Sequence, residues 1–159
     1  MADRIFTFGY EGMSVDAFVR RLKAAGIETV VDVRANPLSR KPGFSKRALA
    51  AALDGAGMAY IHLPAMGCPK PVRDRYKRDA DWAAYTRGFL AHLKREPEAV
   101  VEVAAIATRA PSCLVCFEAD FNRCHRTYVA RAAAEHAGFD VVHLTGRTEL
   151  ADAAVRSAA

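Results

Sequence analysis

No stretch of this chain is long or apolar enough to cross a bilayer. The longest apolar run, Ala99–Ala107, is interrupted by Glu102, whereas a spanning helix needs about 20 apolar residues. The opening Met-Ala-Asp-Arg-Ile-Phe-Thr lacks the charged-then-apolar order of a signal peptide. Cysteine is scarce, with four in 159 residues, and nothing in their placement marks a disulfide framework. Repeats, low-complexity tracts and linkers are missing too. These absences argue against a membrane protein, a disulfide scaffold and a repeat array. They leave the expectation of a reduced, cytoplasmic, single α/β domain over residues 1–159.

What the chain does have is unevenly placed positive charge. Lys and Arg number 23 against 18 Asp and Glu, for a net charge of +5. Residues 69–78 carry five cations and one anion, and residues 34–47 carry five cations and no anion. Clustered cations favour an anionic partner, a phosphate-bearing small molecule or a nucleic acid. The plainer reading of 69–78 is a solvated charged loop.

Periodicity divides the chain into alternating strands and helices. Strands are expected at Ile5–Gly9, Ile27–Val33, Met58–Leu63, Ser112–Phe117 and Phe139–Leu144. Ser14 and Ser45 read as caps of the first two helices. Trp82, Tyr85, Phe89 and Leu93 recur at the spacing of a core-facing helix. Pro97 opens another, to about Arg109, and the Ala-rich segment Arg123–Ala137 is the last, stopped by Gly138. Residues 64–80, proline-bearing and basic, are expected as a loop or lid, and residues 145–159 as a peripheral tail or short helix. The fold class that follows is a three-layer α/β domain with helices on both faces of a mostly parallel five-stranded sheet. Right-handed crossovers suggest the order 3-2-1-4-5, with ligands collecting at the strand carboxyl ends beside the reversal.

One stretch holds more chemically capable side chains than any other: Cys113-Leu-Val-Cys-Phe-Glu-Ala-Asp-Phe-Asn-Arg-Cys-His-Arg126. It runs from the fourth strand into the last helix. Alternation puts Cys116 and Glu118 on one face, as it does Asp32 and Arg34 at the end of the second strand. If Asn122 caps the helix, then Arg123, Cys124 and His125 form its first turn, with Arg126 beyond. Free N–H groups and the helix dipole attract anions there. Cations at that end break the usual preference for acids, as a bound anion would explain. Pairing of Arg123 and Arg126 with Glu118 and Asp120 is the structural alternative.

Two familiar patterns fail on geometry. Cys113-Leu-Val-Cys116 spells a redox dithiol, but within a strand the two Cα atoms stand about 10 Å apart on opposite faces, too far for a disulfide. Six residues separate Cys116 from Arg123, and Glu118 and Asp120 would repel a phosphate in that loop, so a phosphatase loop is not met. A metal held by Cys116, Glu118, Cys124 and His125 is chemically conceivable. Adjacent Cys124 and His125, however, diverge by about 100° on a helix, and no metal is assigned. No cofactor is indicated, and Cys68 has no evident role.

The segments Gly9-Tyr10-Glu11-Gly12, Val31-Asp-Val-Arg-Ala-Asn-Pro-Leu-Ser-Arg40, Pro42-Gly-Phe-Ser-Lys46, Tyr60-Ile-His-Leu-Pro64 and Cys116-Phe-Glu-Ala-Asp120 with Cys124-His-Arg126 resemble the domain of unknown function 488 family, in the family's order. Departures are small: Met66 stands where leucine is expected and Phe121 where proline is frequent. The resemblance implies an α/β fold with these motifs around one cleft, and it supplies no reaction.

The residues themselves point to a small enzyme acting on a phosphate-bearing substrate, a nucleotide or nucleic acid. Candidate catalytic groups are Cys116, Glu118, Cys124, His125 and Asp32, with a thiol as nucleophile and Glu118, Asp32 or His125 moving protons. Cys124 is expected to be the most reactive thiol, from its place among cations. Candidate substrate-binding residues are Gly9, Tyr10, Glu11, Arg34, Arg40, His62 and Arg126. His62 also reads as a satisfied, partly buried histidine. The rival class is a non-catalytic nucleotide or nucleic-acid binding module, which explains the charge but not the thiols and Glu118.

Overall fold

The structure is a computed structural model and describes residues 3–154. Six strands form one sheet in the order β3-β2-β4-β1-β5-β6. They are β1 (Arg4–Gly9), β2 (Thr29–Asp32), β3 (Ala59–His62), β4 (Ser112–Cys116), β5 (Asp140–Leu144) and β6 (Glu149–Ala151). The first five run parallel, and β6 pairs antiparallel with β5. Around them pack α1 (Val15–Ala24), α2 (Lys46–Gly55), α3 (Lys70–Asp79), α4 (Trp82–Lys94), α5 (Pro97–Arg109) and α6 (His125–Ala137).

The expected fold class holds, with helices on both faces. On one face Phe6, Phe8, Val30, Cys113 and Val115 pack with Phe18 and Leu22 of α1 and Leu49 and Leu53 of α2. On the other, Ile5, Val31, Leu114 and Cys116 pack against α4, α5 and α6. Strand alternation therefore sends Cys113 and Cys116 into different cores, as the period of two requires.

The strand order differs from expectation in one exchange. β4 lies between β2 and β1, so the α1 crossover skips a strand. Every residue of β4 is buried, as suits a strand flanked on both edges and covered on both faces. The crossover rule fixes handedness but not how many strands are skipped. The exchange keeps the carboxyl ends of β1, β4 and β2 side by side, pairing Gly9 with Cys116 and Asp32 with Val115.

Two segments expected to be irregular are ordered. The basic loop is α3. Pro69 and Pro71 sit at its start, where a missing N–H costs nothing. The ion pairs Lys70–Asp74 (2.6 Å) and Arg75–Asp79 (3.1 Å) run at i,i+4 along it. The expected tail contains β6, anchored by buried Asp152. Its carboxylate takes hydrogen bonds from His143 Nε2 (2.6 Å) and Arg131 Nε (3.1 Å). The last residues of that tail, 155–159, lie outside the described part of the chain.

Candidate active site

The carboxyl ends of β1, β4 and β2 open into a cavity of about 580 Å³. Its floor holds Cys116, Glu118 and His125, with Cys68 and Tyr85 beside them. Arg34, Asn36 and Arg40 come from the loop after β2, Arg73, Tyr76 and Lys77 from α3, and Trp82 and Tyr85 from α4. Tyr10, Phe117 and Arg123 complete the wall.

The backbone that carries the floor is pinned by short contacts. Tyr10 N–H donates to the Cys116 carbonyl (3.1 Å) and Glu11 N–H to that of Phe117 (2.8 Å). Glu11 Oε1 in turn accepts from Ala119 N–H at 3.0 Å. Glu11 thus clamps the loop after β4 rather than lining the cavity. Gly9 is there because a Cβ would lie 1.7 Å from the Glu118 carbonyl oxygen.

The helix start differs from the expected one. Asp120, not Asn122, caps a short 3-10 turn over Phe121–Arg123, accepting from Asn122 N–H at 2.9 Å. Cys124 follows in extended conformation (φ −143°, ψ 137°) as the residue before α6. It is outside the helix, so the divergence expected of Cys124 and His125 as helical neighbours does not apply. Cys116 Sγ, Cys124 Sγ and a His125 ring nitrogen all lie within 4.8 Å of one another. Those three donors could accept a soft divalent cation.

The hydrogen bonds define the protons. His125 Nε2 lies 2.6 Å from the Val33 carbonyl oxygen. A carbonyl only accepts, so Nε2 carries a proton, and Nδ1 donates to the Cys124 thiolate when His125 is the doubly protonated imidazolium. Burial opposes a charge on Cys124. Hydrogen bonds from Cys116 and His125, with the Arg126 charge, outweigh it and hold the Cys124 pKa well below the ordinary thiol value. Cys116 moves the other way, pushed up by its hydrogen bond to Cys124 and then by burial. His125 is disfavoured as a cation by burial, yet its bond to Cys124 raises it. These directions favour the negative charge on Cys124 and the proton on Cys116. Glu118, pushed up to about 7 by burial and then by that charge, has an oxygen 3.8 Å from Cys116 Sγ.

Arg126 supports this charge from below. It is fully buried and absent from the cavity wall. Its Nη1 donates to the Glu118 carbonyl at 2.5 Å, and its Nε and Nη2 have no hydrogen-bond partner among the described residues. An incompletely paired buried guanidinium is costly, and the nearby thiolate offsets that cost. Replacing His125 with Phe, which keeps the ring but loses the proton, should slow alkylation of the pair by up to about 30-fold at pH 7, since an ordinary thiol is only about 3% ionised there. Iodoacetamide labelling rates read by peptide mass would check this, and an unchanged rate would remove His125 as the source of the thiolate.

Of the remaining sequence candidates, Tyr10, Arg34 and Arg40 line the cavity. Arg34 is largely spoken for. Its Nε and Nη2 clamp Asp32 (2.9 and 2.7 Å), and its Nη1 donates to Tyr10 Oη (3.1 Å) and the Phe44 carbonyl (2.6 Å). Asp32 is fully buried, also accepts from Tyr60 Oη (2.5 Å), and serves as the counter-ion of Arg34. His62 Nε2 donates to the Arg34 carbonyl at 2.8 Å. Gly9, Glu11, Asp32, His62 and Arg126 therefore shape the site without lining it. Sequence reasoning missed Cys68, Trp82 and Tyr85 as cavity groups, whereas the basic segment expected as a lid, which follows the carboxyl end of β3, does supply Arg73, Tyr76 and Lys77 to the wall.

The sequence profile of the domain of unknown function DUF488 matches residues 14–133. No curated protein and no solved structure matches the chain.

Proposed function

The chain belongs to the DUF488 family, a domain of unknown function, and from its site we propose that it is an enzyme acting on a phosphate-bearing nucleotide substrate through a cysteine thiolate. The observation that carries this is the cluster of Cys116 Sγ, Cys124 Sγ and a His125 ring nitrogen within 4.8 Å of one another, with Cys116 and Glu118 in the wall of a cation-rimmed cavity. Arg40, Arg73, Lys77 and Arg123 supply positive charge around it, against Glu118 as the acid in the wall. Tyr10, Tyr76, Trp82 and Phe117 offer flat faces for a base. The volume lies in the usual range for a small-molecule site, about 300–1,000 Å³. The four cysteines are unpaired, which suits a reducing, cytoplasmic setting.

In this mechanism Cys116, the sulfur that lines the cavity, attacks the electrophilic centre. The bond from that centre to Cys116 Sγ forms as the Cys116 proton passes to the Cys124 thiolate. The bond to the leaving group breaks, and Glu118 donates its proton to that group. Glu118, now a carboxylate, takes a proton from water or an acceptor hydroxyl, whose oxygen bonds to the centre as the bond to Cys116 Sγ breaks, and Cys124 returns its proton to Cys116, which restores the thiolate pair. Cys124, His125 and Arg126 hold the charge.

The test is a panel of mononucleotides and short oligonucleotides, with binding read by Trp82 fluorescence and products by mass. Turnover should fall as pH rises past about 7. Glu118 must be protonated to act as the acid, and its ionisation also adds a negative charge facing the phosphate. Glu118→Gln should abolish that alkaline limb. Binding without product at any pH, unaffected by loss of Cys116, would instead identify a binding module. No binding across the panel would sink the proposal.

A further inference from the structure

The cavity does not end at Trp82. A second one, of about 510 Å³, opens on the far side of the same residue and shares Trp82 and Arg123 with the first. Asn122, Thr127, Tyr128 and Arg131 are among its walls. The boundary is not a barrier of packed aliphatic chains. Arg123 lies with its guanidinium 5.6 Å from the Trp82 ring centre and is exposed. The Trp82 ring stacks on Tyr85 at 4.6 Å toward the first cavity, and toward the second lies nearly parallel to Tyr128, at 6.2 Å and 20°. Arg131 sits 6.0 Å over Tyr128 and is held there by Asp152. Aromatic faces and arginines therefore alternate from one cavity into the next. Asp120, the acid in the second wall, has Oδ1 already occupied by the Asn122 N–H.

A mononucleotide needs one flat face and one cationic cluster. Two such sets in series fit a chain of nucleotides, because each repeats a base and a phosphate. Building on the nucleotide reading above, we propose that the substrate is a single-stranded oligonucleotide. The reacting nucleotide sits over Cys116, and its neighbour lies in the second cavity between Arg123 and Arg131. The strand crosses at Trp82 and Arg123, the two residues common to both cavities. Stretches without flat bases or regular phosphates would leave one set of contacts unused.

Trp82 is the sole tryptophan, so its fluorescence reports the crossing point directly. The experiment titrates the whole protein with thymidine monophosphate, with the thymidine dinucleotide and tetranucleotide, and with the matching uridine series, at about 0.1 M salt. The dinucleotide should bind about ten-fold or more tighter than the mononucleotide, and its affinity should fall more steeply with salt. The deoxy and ribo series tell which sugar is preferred. Arg131→Ala should remove the gain from length and leave mononucleotide affinity unchanged. Tyr128→Leu, which spares the Asp152 contact, should reduce the same gain if Arg131→Ala proves unstable. Equal affinity for one and two nucleotides would overturn the second subsite and leave the nucleotide reading standing. Binding of neither would overturn both.

Discussion

Cys116→Ser is expected to lower turnover of a nucleotide substrate on the order of 10³-fold or more, while its dissociation constant changes little. The exchange acts on one proton. A serine hydroxyl still donates a hydrogen bond to the Cys124 thiolate, so the pair's geometry and the cavity wall survive. Serine cannot share that proton in the same way, because its oxygen is far more basic as an anion than sulfur, and the attacking species is lost. Cys124→Ser should be nearly as damaging for a different reason: Cys116 would no longer have a neighbouring thiolate to keep its proton. Since both act as one unit, the double variant should cost little more than either single one. Turnover by Cys116→Ser within ten-fold of the wild type would show that the chemistry is not thiol chemistry and return attention to Glu118.

This outcome would also refine what the sequence suggests about the cysteines. Sequence neighbours point to Cys124 as the most activated, and its surroundings do favour the thiolate. Yet Cys124 is 1% exposed and Cys116 6%, and Cys116 is the one in the cavity wall. Charge and access have been divided between two sulfurs. Local composition can suggest a depressed pKa, because Arg126 and His125 are sequence neighbours. It cannot reveal access, which depends on how a strand end and a helix start meet in space.

The same distinction explains which parts of the fold were legible. Element type followed from periodicity and caps: Ser14 accepts from Ala17 N–H at 3.1 Å, as its placement before α1 implies. The convergence of β1, β2 and β4 ends on one cleft was also readable, from motifs following each strand. The exchange of β1 and β4 was not, since skipping one strand leaves no trace in local spacing. Helix α3 was hidden because its prolines read as breakers. They stand at its first turn, where proline is compatible with helix, and the i,i+4 charge pairs behind them were the stronger signal. Arg126 and Asp32 illustrate a third limit. A charged residue beside a catalytic motif looks like a ligand-binding group, whereas both side chains are buried and act by holding others. Glu11 and His62 likewise hold the surrounding backbone.

Gly9→Ala is expected to be the most damaging single methyl addition in the cleft. An added Cβ would sit 1.7 Å from the Glu118 carbonyl oxygen and 2.5 Å from its carbonyl carbon, both main-chain atoms that cannot rotate away. Either β1 or the loop after β4 must shift. Moving that loop strains the Arg126 contact at the same oxygen and the two bonds from Tyr10 and Glu11 to the Cys116 and Phe117 carbonyls. Overpacking of this kind costs about 1–3 kcal/mol, and more when the surroundings are fixed. Lost backbone bonds add roughly 1 kcal/mol each, so a total of about 3–5 kcal/mol is expected. Gly12 is the internal comparison. It has φ +80° and nothing within 4 Å of where an added methyl would sit, so alanine there meets backbone strain alone, about 1 kcal/mol. Denaturant unfolding of the two variants should separate them clearly. In Gly9→Ala, Glu118 and Cys116 should also lose their relative placement, so cysteine labelling should change even in the folded fraction. Equal stability of the two alanine variants would mean that the loop after β4 yields easily, and that the cleft floor is not held as these contacts imply.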